Sequence, residues 1–130
     1  MEESIIVYAV SDMTGETVGR IVRAASAQFP SSHVHIKLLC HVSSVEQIVR
    51  FIRDQGDDCR SCAVFHTILS KRMRSDLRTA LQTLRIASID LLGSTAHVMA
   101  DLLDEEPRDR PGLTIDDGVE PEVFDFAQNA

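Results

Sequence analysis

The chain has 130 residues, a formal net charge of −7, 44% hydrophobic and 25% charged residues, and no Trp. A domain of this length buries roughly two-thirds of the surface of its unfolded chain, so it can form a core without disulfides or structural metals. The composition excludes disordered and fibrous proteins. Because no apolar run approaches the roughly 18 residues of a membrane helix and the start, MEES, is acidic, we expect a cytoplasmic protein without membrane contact.

The negative charge is concentrated at the C-terminal end. Residues 1–103 contain 11 acidic and 11 basic side chains, whereas residues 104–130 contain nine acidic ones against Arg108 and Arg110. Nucleic-acid binding requires a net basic surface, so we expect none here. The prolines and glycines from Pro107 onward predict an irregular acidic arm, residues 107–130, that follows a domain at residues 1–106.

Two strand-then-helix units open the chain. Residues 5–10 are a continuous apolar run, which predicts a strand covered on both faces. A single helical stripe follows and ends at Pro30; it consists of Val18, Ile21, Val22, Ala25 and Phe29. A second strand at about 34–41 leads into a helix in which Ser43 and Glu46 have capping-box spacing and which Gly56 closes.

Two further units follow. The third strand, CAVFHT, leads into a helix at residues 70–84 with an apolar and a basic face. The apolar face consists of Met73, Leu77, Leu81 and Leu84, and the basic face of Lys71, Arg72, Arg74 and Arg78. A fourth strand, IASIDLL, precedes a last helix from about Ser94 to Leu103.

The alternation predicts an α/β fold, a doubly wound parallel sheet of about four strands with helices on both faces. In such sheets ligands bind beyond the carboxyl ends of the strands, where the strand order reverses. The candidate ligand loops are therefore residues 11–16, 41–44, 66–70 and 90–94.

The motif SDMTGET, residues 11–17, lies between the first strand and its helix. A helix N-terminus attracts anions, Thr14 is a suitable N-cap, and Gly15 lets a ligand approach the backbone. Asp12 and Glu16 add negative charge, so they could hold a cation that bridges to a phosphate or accept a proton from a hydroxyl. The motif matches neither GxGxxG nor GxxxxGK[ST], and the alternative is that Asp12, Thr14 and Glu16 only cap the helix.

Histidines and cysteines are weaker signals. His41 and His66 close the second and third strands, where either could pair with phosphate or act as a base. Cys59 and Cys62 have CxxC spacing, but they precede a strand instead of starting a helix, and no further ligand pair completes a zinc site. We expect ordinary thiols and no metal centre.

Several stretches resemble one known family. VYAVSDMTGET followed by RAASAQFP is similar to the start of the pyruvate, phosphate dikinase and phosphoenolpyruvate synthase regulatory proteins. VFHTILSKRMRSDLRTAL, IDLLG, and PG followed by EVFDFA match that family in order and spacing, so the resemblance covers essentially the whole chain. Met13 departs from the family, which usually has a small hydroxyl residue there, and the arm after Gly112 is shorter. The matching motif residues are Ser11, Asp12, Thr14, Gly15, Glu16 and Thr17.

The resemblance implies a bifunctional enzyme. Family members phosphorylate a threonine of the dikinase or synthase with ADP as donor, which inactivates it, and remove that phosphate with inorganic phosphate, releasing pyrophosphate. Their nucleotide site belongs to a P-loop in the second half of the chain, which these 130 residues lack. We therefore expect ADP or ATP to bind only together with that missing domain, with magnesium as a further candidate, and this chain to be inactive alone.

The resemblance and the loop positions together define the candidate residues. Asp12 and Glu16 are the catalytic candidates, with no cofactor-binding and no metal-binding residue in this chain. The candidates for binding substrate or phosphate are Ser11, Thr14, Gly15, Thr17, His41 and His66. The alternatives are a stand-alone module that binds a phosphorylated ligand or a partner protein, and an interaction domain whose helices build a homodimer.

Overall fold

The computed structural model describes residues 4–30 and 33–108, except for the side chain of Cys59. Strands and helices alternate along this part of the chain. The strands are β1 (Ser4–Ser11), β2 (His33–Leu39), β3 (Cys62–Thr67) and β4 (Ala87–Asp90). The helices are α1 (Glu16–Ser26), α2 (Val45–Gln55), α3 (Lys71–Thr83) and α4 (Gly93–Leu103), with a 3₁₀ turn at Cys59–Ser61. Most of the predicted acidic arm lies outside the described residues.

The strands form one parallel sheet in the order β2-β1-β3-β4. The β1 strand is central, and Tyr8 pairs with Lys37 on one side and Val64 on the other. The chain leaves β1 toward β2 and leaves β3 toward β4, in opposite directions, so the strand order reverses between β1 and β3. The α/β prediction is confirmed. The carboxyl ends of β1 and β3 are therefore the place where sheets of this kind bind ligands.

Helices pack on both faces of the sheet. On one face, α1 contributes Val18 and Val22 to a cluster with Val7 and Ala9 of β1. On the other face, α2 and α3 build the larger cluster. Its members with a fully buried side chain are Tyr8, Val10, Ile48, Val64, Ile68, Leu77 and Leu81.

Tyr8, a member of the larger cluster, also forms a polar group with Asp57 and Lys37. The buried Tyr8 hydroxyl donates to Asp57 Oδ2, which also accepts a hydrogen bond from Lys37 Nζ at 2.8 Å. Burial, followed by the bond to Asp57, raises the pKa of Tyr8 above its ordinary value. The hydrogen bond from Lys37 is the main cause that lowers the pKa of Asp57. The phenol is therefore neutral and the carboxylate charged at neutral pH.

The first helix is shorter than its apolar stripe predicts. It ends at Ser26, after which the backbone tightens, since Gln28 N and Phe29 N donate to carbonyls three residues earlier. Ile21 and Phe29 remain 43% and 61% exposed. The prediction that the helix continues to Pro30 is therefore wrong, because it ends at Ser26, and only Val18 and Val22 of its apolar stripe are buried.

The capping box of α2 lies one residue later than predicted. Ser44 Oγ accepts from Gln47 N at 3.2 Å, and Gln47 Oε1 accepts from Ser44 N at 3.3 Å. Ser43 and Glu46 have the same spacing but do not form the box, because the extended backbone at Ser44 starts the helix at Val45 and turns Ile48 and Ile52 into the core. Gly56 closes α2 in a left-handed conformation, as predicted.

Candidate functional site

Backbone hydrogen bonds hold the loop after β1 against the loop after β2. His41 N donates to Met13 O at 2.8 Å, and Val42 N donates to Ser11 O at 3.1 Å. Ser11 is buried, and its Oγ accepts from Met13 N at 2.9 Å. Ser11 therefore shapes the loop from inside, and its hydroxyl is not exposed to a ligand.

Gly15 serves packing at this site. Its φ is +81°, and a Cβ built there would lie 2.8 Å from Leu38 Cδ1 and 3.0 Å from Cys40 Sγ. An L-residue would be strained by both the backbone and the contact with β2. The expected approach of a ligand to Gly15 is thus replaced by a close approach of the neighbouring strand.

Thr14 does not cap α1 as predicted. Gly15 occupies the N-cap position without a side-chain hydrogen bond, and Thr14 Oγ1 lies 3.4 Å from Glu16 N. Thr14 is exposed, and its carbonyl accepts from Cys40 Sγ at 2.9 Å. The left-handed backbone at Gly15 makes this residue the N-cap, so the Thr14 hydroxyl accepts only one long hydrogen bond, from Glu16 N, outside the N-cap position.

Asp12 connects the two loops that flank the reversal of strand order. Its side chain is half-buried. Just beyond the paired ends of β1 and β3, Asp12 Oδ2 accepts a hydrogen bond from Leu69 N at 3.0 Å. Within the described residues no donor reaches its other oxygen, Oδ1. Asp12 is therefore held in place through one oxygen and keeps the second available as an acceptor.

A cleft of about 840 Å³ opens beside Asp12; we call it the switch-point cleft. It lies between the first turns of α2 and α3, and both N-cap serines, Ser44 and Ser70, line it. Two helix N-termini directed at one space create a positive potential there. His41 also lines the cleft and adopts a left-handed backbone conformation with φ of +53°.

The charged side chains of the switch-point cleft outweigh that potential, because three carboxylates face one guanidinium and each helix N-terminus supplies only about half a positive charge. Asp12, Glu46 and Asp76 contribute carboxylates, and Arg72 contributes a guanidinium. A bare phosphate would therefore meet repulsion from the carboxylates and attraction from Arg72 and the helix termini.

Glu16 and Thr17 lie apart from the switch-point cleft. Both are exposed in the first turn of α1, and neither lines the cleft. Glu16 Oε1 accepts from Arg20 at 2.8 Å in an exposed pair one helical turn apart. Of the two predicted catalytic carboxylates, the structure brings only Asp12 to the cleft.

His66 is a core residue. It is 2% exposed, and its Nδ1 is buried without a hydrogen-bond partner in the described part of the chain. Burial lowers the pKa of His66 below its ordinary value; the nearby Arg74 acts in the same direction and Asp90 opposes it. Ligand binding by His66, expected from its place at the strand end, would require this buried ring to become exposed.

Sequence reasoning missed an ion pair at the same edge of the sheet. Arg74 Nε lies 3.0 Å from Asp90 Oδ2, and the two side chains are 15% and 26% exposed. The prediction that Arg74 belongs to a basic surface face is wrong, because Asp90 at the end of β4 draws it inward. A signal was present: Arg74 precedes Leu77 by three positions and so borders the apolar stripe of α3.

Cys62 lies away from the switch-point cleft, and the side chain of Cys59 lies outside the described part of the chain. Cys62 is buried at the start of β3, at the opposite end of that strand from the switch-point cleft, and its Sγ donates to Asp58 O at 3.0 Å. Among the residues that the structure describes, no three His, Cys, Asp or Glu side chains gather as metal ligands. No helix in this part of the chain has the length and apolarity to cross a bilayer.

Comparisons with known proteins place the chain in a family. A family model described as kinase/pyrophosphorylase matches residues 7–124. A protein of Sorangium cellulosum named as a pyruvate, phosphate dikinase regulatory protein is 31% identical over 115 residues, which cover 88% of this chain and 40% of that protein. A protein of the same name from Citrifermentans bemidjiense is 29% identical over 107 residues, which cover 82% of this chain and 39% of that protein.

A third relative, from Clostridium perfringens and again named as a pyruvate, phosphate dikinase regulatory protein, is 30% identical over 108 residues, covering 83% of this chain and 40% of the relative. The chain thus spans about two-fifths of the length of these curated relatives. The matching segment contains the switch-point cleft and both clusters of the core. The protein belongs to the kinase/pyrophosphorylase family.

Proposed function

We propose that residues 1–106 are the N-terminal domain of a bifunctional regulatory phosphotransferase. In this proposal the enzyme phosphorylates a threonine of pyruvate, phosphate dikinase or phosphoenolpyruvate synthase with ADP, and dephosphorylates it with inorganic phosphate. Family membership and the names of the relatives support it. Residues 107–130 are the arm toward a P-loop domain that holds ADP or ATP.

The position of Asp12 carries the proposal for this chain. It lies where the strand order reverses, one oxygen is fixed by Leu69 N, and the other faces no donor among the described residues. A carboxylate held in this way accepts a hydrogen bond from a substrate hydroxyl and then its proton. The target threonine would enter the switch-point cleft and donate its hydroxyl to Asp12 Oδ1.

The kinase direction requires one proton acceptor. The threonine oxygen forms a bond to the β-phosphorus of ADP, the bond from that phosphorus to the bridging oxygen breaks, and AMP leaves. The threonine proton passes to Asp12. The positive ends of α2 and α3, together with Arg72, stabilise the charge on the transferred phosphoryl oxygens.

The phosphorylase direction uses the same groups. An oxygen of inorganic phosphate attacks the phosphothreonine phosphorus, the bond to the threonine oxygen breaks, and pyrophosphate leaves. The attacking phosphate gives up a proton, and Asp12 passes a proton to the threonine oxygen. One carboxylate therefore serves as base in one direction and acid in the other.

The switch-point cleft supplies only part of a magnesium site. Magnesium is usually held by one or two carboxylates together with substrate phosphates. Asp12, Glu46 and Asp76 supply carboxylates to the switch-point cleft, but the described residues offer no cluster of three ligands. A bound ion would neutralise phosphate charge, and the proton transfer to Asp12 proceeds without involving it.

The test is the Asp12→Asn variant of the enzyme extended through its P-loop domain. Transfer of labelled phosphate from the β-position of ADP to the target threonine should fall roughly 10²- to 10⁴-fold, the range for loss of a general base. The asparagine side-chain oxygen still accepts from Leu69 N, so the loop is retained. The matched control is Asp101→Asn, which removes an exposed carboxylate on α4 that pairs with His97. Undiminished transfer by Asp12→Asn would remove the catalytic role.

The alternative is a binding module without catalysis. It is favoured by the mixed charge of the switch-point cleft, where Arg72 and the starts of two helices lie beside carboxylates. A module of this kind would bind a phosphothreonine peptide, and Arg72→Gln would weaken that binding while the extended enzyme transferred no phosphate. Transfer activity in the extended enzyme would exclude the module.

A homodimer is a further part of the proposal. Helix α4 exposes four large apolar side chains, between 57% and 82% in relative area; they are Val98, Met99, Leu102 and Leu103. Contiguous exposed apolar surface on a helix commonly marks an interface. Sedimentation of the wild type and of Met99→Lys would show a dimer that dissociates in the variant, and a monomeric wild type would contradict this part.

A further inference from the structure

The half-buried Arg74–Asp90 pair is held in place by backbone hydrogen bonds to Asp90 at the end of β4. Asp90 Oδ1 accepts from Leu92 N at 3.2 Å and from Gly93 N at 2.6 Å, which anchors the carboxylate at the start of α4. Asp90 Oδ2 receives Arg74 Nε at 3.0 Å. Both carboxylate oxygens of Asp90 therefore have partners that fix the orientation of its side chain.

Gly93 leaves room for the pair. A Cβ built at Gly93 would overlap Asp90 Oδ2 and also Arg74 Nε and Cδ. Overlap with three heavy atoms of a half-buried ion pair cannot be relieved without moving one of the partners. Any larger residue at this position would therefore displace the guanidinium from the carboxylate.

The other end of Arg74 holds the loop after β3. Arg74 Nη1 donates to Ile68 O at 3.2 Å and to Leu69 O. A guanidinium presents its donors in a rigid plane, so it can bind a carboxylate through one nitrogen and backbone carbonyls through another. A lysine has one nitrogen and a flexible stem, and it cannot reproduce this double attachment.

The loop held by Arg74 is the one that holds Asp12. Leu69 accepts from Arg74 through its carbonyl and donates to Asp12 Oδ2 through its N–H at 3.0 Å. A continuous series of contacts thus runs from Asp90 through Arg74 and Leu69 to Asp12. Each contact joins a different element: β4, α3, the loop after β3 and the loop after β1.

We propose that Arg74, oriented by Asp90 and given space by Gly93, is a positioning residue for the Asp12 carboxylate. It fixes the peptide groups of Ile68 and Leu69 so that the Leu69 N–H points at Asp12 Oδ2. Without it, that loop loses its anchor and Asp12 loses the partner that directs its second oxygen into the switch-point cleft. The contacts through which Arg74 positions Asp12 do not depend on the proposed function. The expected effect of Arg74 on phosphate transfer does rest on the proposed function.

A structural ion pair is the competing explanation. Half-buried pairs often contribute little net stability, because desolvation of the charges offsets their attraction. A purely structural pair would affect the unfolding free energy and leave the Leu69 amide unchanged in the folded state. The positioning role predicts a local change at Leu69 in a protein that remains folded.

The test is the amide resonance of Leu69 in the 130-residue chain. Asp12→Asn defines where this resonance moves when the carboxylate is lost. Asp90→Asn, Arg74→Lys and Gly93→Ala should each shift the Leu69 resonance most of the way toward its position in Asp12→Asn. Amide resonances of the core strands, such as that of Val64, should not shift. Arg78→Lys is the matched control, since Arg78 lies one turn further along α3 and is exposed; it should leave Leu69 unmoved.

Two outcomes overturn the proposal. One is a Leu69 resonance that stays at the wild-type position in Asp90→Asn and Arg74→Lys, or that does not respond to Asp12→Asn. The other is loss of the folded spectrum in all three variants, which would make the pair structural. Gly93→Ala keeps both charges, so it separates displacement of the pair from loss of a charge.

Phosphate transfer by the extended enzyme supplies a second readout. Asp90→Asn should lower kcat roughly tenfold or more with little change in KM for the target, as expected when a transition-state interaction is lost. A displaced Leu69 resonance with normal transfer would support the positioning and contradict the catalytic role of Asp12. An unmoved resonance would contradict the positioning whatever the activity.

Discussion

Asp12 and Glu16 belong to one motif, yet the structure gives them different environments. Asp12 is the first residue after β1 and faces the loop that follows β3. Glu16 is the first residue of α1 and its side chain, 68% exposed, pairs with Arg20. An exposed pair of this kind contributes about 0.3–0.5 kcal/mol. Residue type and spacing alone do not distinguish the two, because the partner of Asp12 lies 57 positions away in the chain.

His66 predicts a pH dependence of stability. Because its folded-state pKa lies below the ordinary 6.5, the unfolded chain takes up a proton first as the pH falls. The contribution of His66 to stability is therefore complete above about pH 6.5 and declines below it toward the lower folded-state pKa. Urea unfolding between about pH 5 and pH 8 should show a shallower decline in His66→Gln than in the wild type.

The control for this measurement is His97→Gln. His97 is 76% exposed on α4, so its ring is hydrated in both the folded and the unfolded state. This variant should keep the wild-type decline. Parallel pH curves for the wild type and His66→Gln would show that the buried ring is not responsible.

At the scale of elements, the start of α2 is decided by the fold. Ser43 and Ser44 are neighbouring hydroxyls with acceptable partners three residues later, and local sequence cannot choose between them. The choice follows from the core, because a start at Val45 places Ile48 and Ile52 inside. The same choice directs the first turn of α2 toward the switch-point cleft.

Ser44→Ala should therefore destabilise the protein more than Ser43→Ala. Loss of the N-cap at Ser44 costs about 1 kcal/mol, whereas Ser43 contacts Gln47 mainly through its backbone N–H, at 2.7 Å, which alanine retains. Urea unfolding of the two variants measures the difference. Equal losses would contradict the cap assignment.

At the scale of the whole molecule, both hydrophobic clusters lie within the predicted N-terminal domain. Their buried members fall between Val7 and Ile86. Deletion of residues 107–130 should consequently change the unfolding free energy by less than about 1 kcal/mol, a value typical of changes away from the core. Chemical denaturation and the amide spectrum of residues 4–106 provide the measurement. A large loss of stability would show that the arm contributes to the core and that the proposed boundary is misplaced.

Local periodicity predicted most of the fold. The apolar runs and helical stripes identified the strands and helices that the structure describes, and their alternation predicted a parallel sheet, because helical crossovers join parallel strands. Boundaries were less accurate at α1 and α2, where tertiary contacts decide which residues are covered. Of the site residues predicted from the sequence, Asp12 and His41 line the switch-point cleft.

The sequence by itself determined the class of fold and, through its motifs, a resemblance to the family that the comparisons confirm. Those features depend on local patterns of apolar residues and on short contiguous motifs. Only the tertiary structure decided that Asp12 faces the switch-point cleft while Glu16 does not, that His66 is buried, and that Arg74 leaves the basic face of α3 for Asp90. Each of these depends on a contact between distant parts of the chain, which the sheet order β2-β1-β3-β4 creates and which no local pattern contains.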